Sequence, residues 1–190
     1  MFRPVVVACC LAGAGLAGCG APSPDPAAGS GTTTTTAGPP ATASTAPSLG
    51  DVPRCETGWL TGSVRPLEPA AGNRYAQLVL TNTGGPLCAM YGYGGLQLVD
   101  AQGTPNPTDL VRTPDPGPTL VSLKPGEAAV KKLHWTVVPS GDEPTTGPCQ
   151  PPSAGAKVIP PDETTALSVN YDFGSVCAGG KIEGSAYFRA

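Results

Sequence analysis

An all-β fold, an immunoglobulin-like Greek-key sandwich of about seven or eight strands, is what this sequence predicts for residues 54–190. Two observations carry the prediction: apolar residues recur with a period of two in short runs, and clusters of Gly, Pro and Asn bound those runs. A third agrees with them, since no window offers a persuasive amphipathic helix.

The strands follow in chain order. In Tyr75–Asn82 the residues Ala76, Leu78 and Leu80 share one face, and Leu96 and Leu98 repeat the pattern before Asp100. Leu133, Trp135 and Val137 alternate with His134, Thr136 and Val138. Ala128 and Val130 precede them in the opposite parity, so one extra residue at Lys131-Lys132 predicts a β-bulge there. Leu167, Val169, Tyr171 and Phe173 alternate with Ser168, Asn170 and Asp172, and Ile182, Ala186 and Phe188 close the series. Two long loops remain, Thr104–Thr119 with five prolines and Pro139–Pro161 with seven. Structureless loops longer than about 15 residues are uncommon in compact domains and are often functional. Proline also lowers the entropy lost when such a loop meets a partner.

Composition narrows the function classes. Of 190 residues, 26 are Gly and 24 Pro, while aromatics make 5% and charged residues 13%. A large enzyme core and a coiled coil are both disfavoured. A net charge of −3 and a pI near 5.0 argue against nucleic acid as a partner.

The N-terminal segment reads as a leader. Arg3 supplies a positive charge, and Val5 to Leu16 is apolar but too short to span a bilayer, which needs about 20 residues. Leu16-Ala17-Gly18-Cys19 resembles the bacterial lipobox, in which cleavage precedes a lipidated Cys. The resemblance implies a signal peptide over residues 1–18, acyl chains on Cys19, and anchorage to the outer face of the cell membrane. Residues 19–53 then read as a disordered tether: of the 34 residues from Gly20 to Pro53, 30 are Ala, Thr, Pro, Gly or Ser. Such Thr- and Pro-rich stalks also accept O-linked sugars.

Cys9 and Cys10 leave with the leader, and Cys55, Cys88, Cys149 and Cys177 remain, an even number in an oxidising compartment. Four cysteines permit three pairings. Cys55–Cys88 with Cys149–Cys177 is favoured because each joins neighbours in chain order across a loop of about 30 residues. The rival, a zinc site, wants closely spaced pairs, which are absent here.

Certain segments are familiar in their order. Cys55, Leu78-Val79-Leu80-Thr81-Asn82-Thr83-Gly84, Cys88, Gly92-Tyr93, Leu96-Gln97-Leu98-Val99-Asp100 and Leu123-Lys124-Pro125-Gly126-Glu127-Ala128 are followed by Cys149 and Cys177. This arrangement resembles the family called domain of unknown function 4232, found in secreted and lipid-anchored proteins of actinobacteria. The resemblance covers about Cys55 to Phe188 and implies an extracytoplasmic β domain. It brings no established activity and no catalytic positions.

The search for chemistry favours binding. His134, the single histidine, falls opposite Leu133 and Trp135 and is expected exposed or at an edge. Catalysis there would need an orienting acid and a Ser or Thr within hydrogen-bond reach. Gly92-Tyr93-Gly94-Gly95 lacks the pattern and following helix of a phosphate loop and reads as a turn. Asp100, Asn106 and Asp109 do not match a calcium-loop spacing. Asp142-Glu143 and Asp162-Glu163 read as surface pairs, and Lys131-Lys132 is too small a basic patch for nucleic acid.

Tyr91 and Tyr93, beside the glycine turn, form the candidate binding surface together with Pro114, Asp115 and Pro116 of the first long loop. The sequence thus points to a monomeric binding domain at the cell envelope with a protein or glycan partner. No cofactor, metal or catalytic residue is expected. An envelope glycan or peptide hydrolase and a purely structural lipoprotein are the alternatives.

Overall fold

Strand β2 (Asn73–Asn82), the longest of the main sheet, carries the apolar alternation Ala76, Leu78 and Leu80 on its buried face. The computed structural model describes residues 50–190. The expected signal peptide, Cys19 and most of the expected tether lie outside the described residues.

On one side β2 pairs antiparallel with β1 (Leu60–Pro66) and on the other with β7 (Ala128–Thr136). The register Ala76↔Leu133, Leu78↔Lys131 and Leu80↔Ala129 puts these six side chains on one face. The remaining strands are β3 (Cys88–Tyr91), β4 (Gly95–Val99), β5 (Asp109–Arg112), β6 (Leu120–Leu123), β8 (Ser153–Ile159), β9 (Leu167–Gly174), β10 (Lys181–Gly184) and β11 (Phe188–Arg189). The main sheet runs β1-β2-β7-β10-β5, with β11 also on β7. A second sheet runs β4-β8-β9, and β3 pairs with β6 in a small ribbon.

The all-β class is what the structure shows. The expected seven or eight strands become eleven in three hydrogen-bonded sheets, ending in a parallel β5–β10 pair. Among the described residues, helical structure is confined to turns at Thr57–Trp59 and Cys177–Gly180.

One buried cluster joins the sheets: Leu78, Leu80, Leu133 and Trp135 from the main sheet, Leu98, Val158, Val169 and Phe173 from the second, and Met90, Val121 and Leu123 from the ribbon. The Trp135 and Phe173 rings meet at 5.4 Å between centroids. Each such side chain stabilises the fold by roughly 1.5–3 kcal/mol through burial. Two disulfides, Cys55–Cys88 and Cys149–Cys177, match the favoured pairing. They close separations of 33 and 28 residues.

Two expectations need correction. The bulge predicted at Lys131-Lys132 is not in that strand, whose pairing with β2 runs unbroken from Ala128 to Thr136. It lies on the opposite partner instead. Gly184 faces Leu133 and Phe188 faces Val130, so Ser185, Ala186 and Tyr187 together span the two residues Lys131 and Lys132. The Ser185 hydroxyl there accepts the Lys132 amide at 2.9 Å.

The long loops are also not structureless. β5 forms within Thr104–Thr119 and β8 within Pro139–Pro161, and side chains pin the rest. Asn106 donates to the Pro151 and Pro152 carbonyls and to Ser153 Oγ at 2.8–3.3 Å. Glu143 accepts the amides of Ala178 and Gly179 at 2.9 and 2.8 Å.

Candidate binding groove

The turn from β3 to β4 builds one wall of a groove. Gly92 and Gly94 adopt φ of 117° and 63°, left-handed conformations that a side chain would oppose. A Cβ on Gly94 would strike the Ile159 carbonyl oxygen. The two glycines turn the Tyr93 carbonyl toward the interior, where it accepts a 2.6 Å hydrogen bond from Lys131 Nζ. The Tyr93 ring turns the other way and lies under the guanidinium of Arg112, 5.2 Å from its centroid. Tyr91, Tyr93, Arg112, Pro118, Pro160 and Pro161 are among the residues that line the resulting cavity of about 640 Å³.

Sheet register explains why two cations meet here. Arg112, Gly184, Leu133 and Ala76 are paired in one row across four strands and share the inner face. Lys131 lies two residues from Leu133 on that face and is 1% exposed. Gly184, with no side chain, leaves the path open: a Cβ there would meet Lys131 Cε at 2.6 Å. The ammonium lies 5.6 Å from the centroid of the buried Tyr187 ring, whose hydroxyl has no hydrogen-bond partner among the described residues. Burial pushes the Lys131 ammonium down to about 8, and the like charge of Arg112 adds to it. Burial also pushes the Tyr187 phenol far up.

The sequence-predicted surface residues separate. Tyr91 and Tyr93 are half-buried and line the groove together. Asp115 lines a different depression of about 260 Å³, with Tyr75, Lys132, His134 and Glu183. The Pro116 carbonyl accepts the Ala186 amide at 3.2 Å, and Pro114 is exposed beside it. Arg112 is not singled out in the sequence, Lys131 reads there only as part of a bulge and a small basic patch, and Pro160-Pro161 only as the end of a long loop. Lys131 was legible in principle: Ala129, Lys131, Leu133 and Trp135 form one unbroken period-two series.

His134 is half-buried on β7, an inner strand, not exposed or at an edge as expected, because side chains of the neighbouring strands β2 and β10 flank its ring. Its Nδ1 faces Glu183 Oε2 at 3.0 Å, its Nε2 faces Asn73 Oδ1 at 2.9 Å, and its ring stacks on Tyr75 at 4.7 Å. The Asn73 amide nitrogen donates to the Ala71 carbonyl, which fixes the amide oxygen toward the ring. Hydrogen bonds from His134 and Lys181 lower the Glu183 carboxyl below its usual range. The imidazole therefore has its orienting acid, while an amide oxygen takes the place a nucleophilic hydroxyl would need.

Other candidate ligand groups are engaged locally. Asp100 accepts the amides of Gln102 and Thr104, both at 2.8 Å, and Asn106 is buried among Pro151–Ser153. Glu143, Cys149 and Cys177 place ligand atoms within 4.8 Å of one another, but the disulfide consumes both sulfurs.

A family model described as Domain of unknown function (DUF4232) matches residues 55–187. No curated protein matches the chain, and no solved structure does.

Proposed function

The chain belongs to the family described as Domain of unknown function (DUF4232), and from that premise we propose that it is a non-enzymatic binding domain at the cell envelope. In this reading lipid on Cys19 holds it to the outer face of the membrane, and residues 19–53 act as the spacer. The groove beside Tyr93 contacts a glycan or protein partner. One observation carries the reading: Tyr91, Tyr93, Arg112 and the Pro160-Pro161 pair converge on one concavity. Half-buried aromatic rings beside an arginine with no carboxylate partner among the described residues offer flat contact area and polar orientation at little entropic cost. Both disulfides suit an oxidising compartment.

Cross-linking in intact envelopes tests it. A photo-reactive residue replacing Tyr93 should capture a discrete partner, and the same probe at exposed Lys157 should not. Loss of capture on Tyr91→Ala would tie the contact to the groove. Equal capture from both positions, or none, would overturn the reading and favour a structural lipoprotein. The hydrolase alternative draws only on the His134–Glu183 pair, whose second ring nitrogen faces Asn73.

A further inference from the structure

We propose that the groove takes an acidic saccharide, with Arg112 meeting a carboxylate or phosphate while Tyr91 and Tyr93 contact the sugar ring. This deepens the binding reading above and rests on it.

Arg112 has no carboxylate partner among the described residues; its guanidinium lies over the Tyr93 ring. Behind it lies Lys131, buried and likewise without an acid. The groups that face the ammonium from the packed elements are the Tyr93 carbonyl from the turn, the Tyr187 ring, Gly184 of β10 and Arg112 of β5. None is negative. Buried charges are ordinarily paired, because an unpaired one loses its hydration without return. Here the buried ammonium has no such partner among the described residues, and the like charge of exposed Arg112, on the groove wall, further disfavours it. An anion bound at Arg112 would give the guanidinium a partner and offset its repulsion of Lys131.

The rest of the groove argues for a sugar as the carrier. Half-buried Tyr91 and Tyr93 and exposed Pro118 offer ring faces that suit the apolar faces of a pyranose. Asp162 is exposed among the lining residues and offers acceptors to hydroxyl groups. Glu163, the other acid there, is already engaged by Arg54 Nε at 3.1 Å and by Thr57. The site therefore offers an arginine for the anion, rings for the sugar and one free carboxylate for hydroxyls.

The binding also has an internal reporter. Occupying Arg112 with an anion removes the repulsion on Lys131, so the ammonium holds its proton to higher pH. Calorimetry on the full chain with a uronic acid trisaccharide, its neutral methyl ester, a hexose phosphate and inorganic phosphate tests the inference. NMR of the Lys131 Cε group follows the titration. The acidic sugars should bind at least about tenfold more tightly than the ester, and their relative affinity identifies the anion. Arg112→Gln, a change at an exposed side chain, should abolish that preference. The Lys131 midpoint should move upward on saturation.

Equal affinity for acid and ester would overturn the anionic assignment while leaving the groove a sugar site. Inorganic phosphate binding as tightly as the hexose phosphate would overturn the sugar. Failure of all four while Tyr93 still captures an envelope partner would overturn the saccharide and spare the binding reading. Failure of both experiments would end both.

Discussion

Lys131 donates from Nζ to the Tyr93 carbonyl oxygen at 2.6 Å, so a backbone turn, and no carboxylate, holds the one buried lysine among the described residues. A consequence for stability follows. The Lys131 ammonium is pushed from 10.5 down to about 8, first by burial and then by Arg112. Between those values the unfolded chain binds the proton and the folded domain does not, so stability rises with pH across that window. Below pH 8 the cost of burying the charge is present in full. Lys131→Met removes the charge at similar length and leaves the Tyr93 carbonyl without its donor, a loss of about 1 kcal/mol. The variant should still be more stable than the native domain at pH 7, by about 1–3 kcal/mol, and should lose the rise above pH 8. Urea unfolding at pH 7 and pH 10 checks both. A native slope that survives in the variant would assign the titration to another group.

Glu143 gives a rise of stability with pH as well, but in the acid range. Ala178 and Gly179 have φ of 57° and 68°, which turns their amides toward one point, and the Glu143 carboxylate occupies it. Gln150 Nε2 at 2.7 Å and the Ser140 amide at 2.9 Å complete the set. The Gln150 bond and then the backbone bonds hold this carboxyl down to about 2. Its contribution is fully present above the ordinary value of 4.5 and is lost as pH falls through about 2. Glu143→Gln should lower the denaturation midpoint at pH 7 and flatten the acid limb of the stability profile. It should also speed hydrogen exchange at the Ala178 and Gly179 amides. Unchanged exchange would show that the Cys149–Cys177 disulfide alone orders this corner.

Asn82 should be among the costliest residues to truncate. Buried at the end of β2, it donates to the Pro86 carbonyl at 2.7 Å and the Leu123 carbonyl at 3.1 Å, and accepts the Gly85 amide at 3.0 Å. Its backbone amide reaches Glu127 and its carbonyl accepts the Gly126 amide. The Leu-Thr-Asn-Thr-Gly and Leu-x-Pro-Gly-Glu-Ala segments are thus two halves of one junction. Asn82→Ala leaves the buried Leu123 carbonyl and the part-buried Pro86 carbonyl and Gly85 amide without their partner, and should cost about 2–4 kcal/mol in urea unfolding. Thr83→Ala, which loses an exposed hydroxyl contact with Thr61, should cost less than about 0.5 kcal/mol. Similar costs at the two positions would remove the junction from the account of this motif.

These residues also show what a linear reading reaches. β9 was legible because Val169 and Phe173 are buried while Ser168, Asn170 and Asp172 are exposed, the clean alternation of a strand with one wet face. The disulfides followed from cysteine order. β8 was hidden because Ser153–Ile159 carries Gly and Ala at buried positions, small residues that pack against neighbouring backbone rather than announce a core. The groove was hidden for a different reason. Arg112 and Tyr93 are 19 positions apart and meet only because β5 joins the main sheet through a parallel pair, a long-range feature with no local signature. Lys131 was misread because its charge outweighed its phase.

Gly184 gives the sharpest test of that buried lysine. A Cβ at this position would meet Lys131 Cε at 2.6 Å and Leu110 Cδ1 at 3.1 Å. Gly184→Ala should therefore destabilise the native domain by about 1–3 kcal/mol, the range for overpacking a close contact. In a Lys131→Ala background the obstructing stem is gone, and the added methyl enters space that the lysine vacates. The same substitution should there be near neutral, a coupling of about 1–2 kcal/mol in a double-mutant cycle. Equal costs in the two backgrounds would mean that the lysine does not run past Gly184. The pairing of two cations behind Tyr93, and the anion site drawn from it, would then lose their footing.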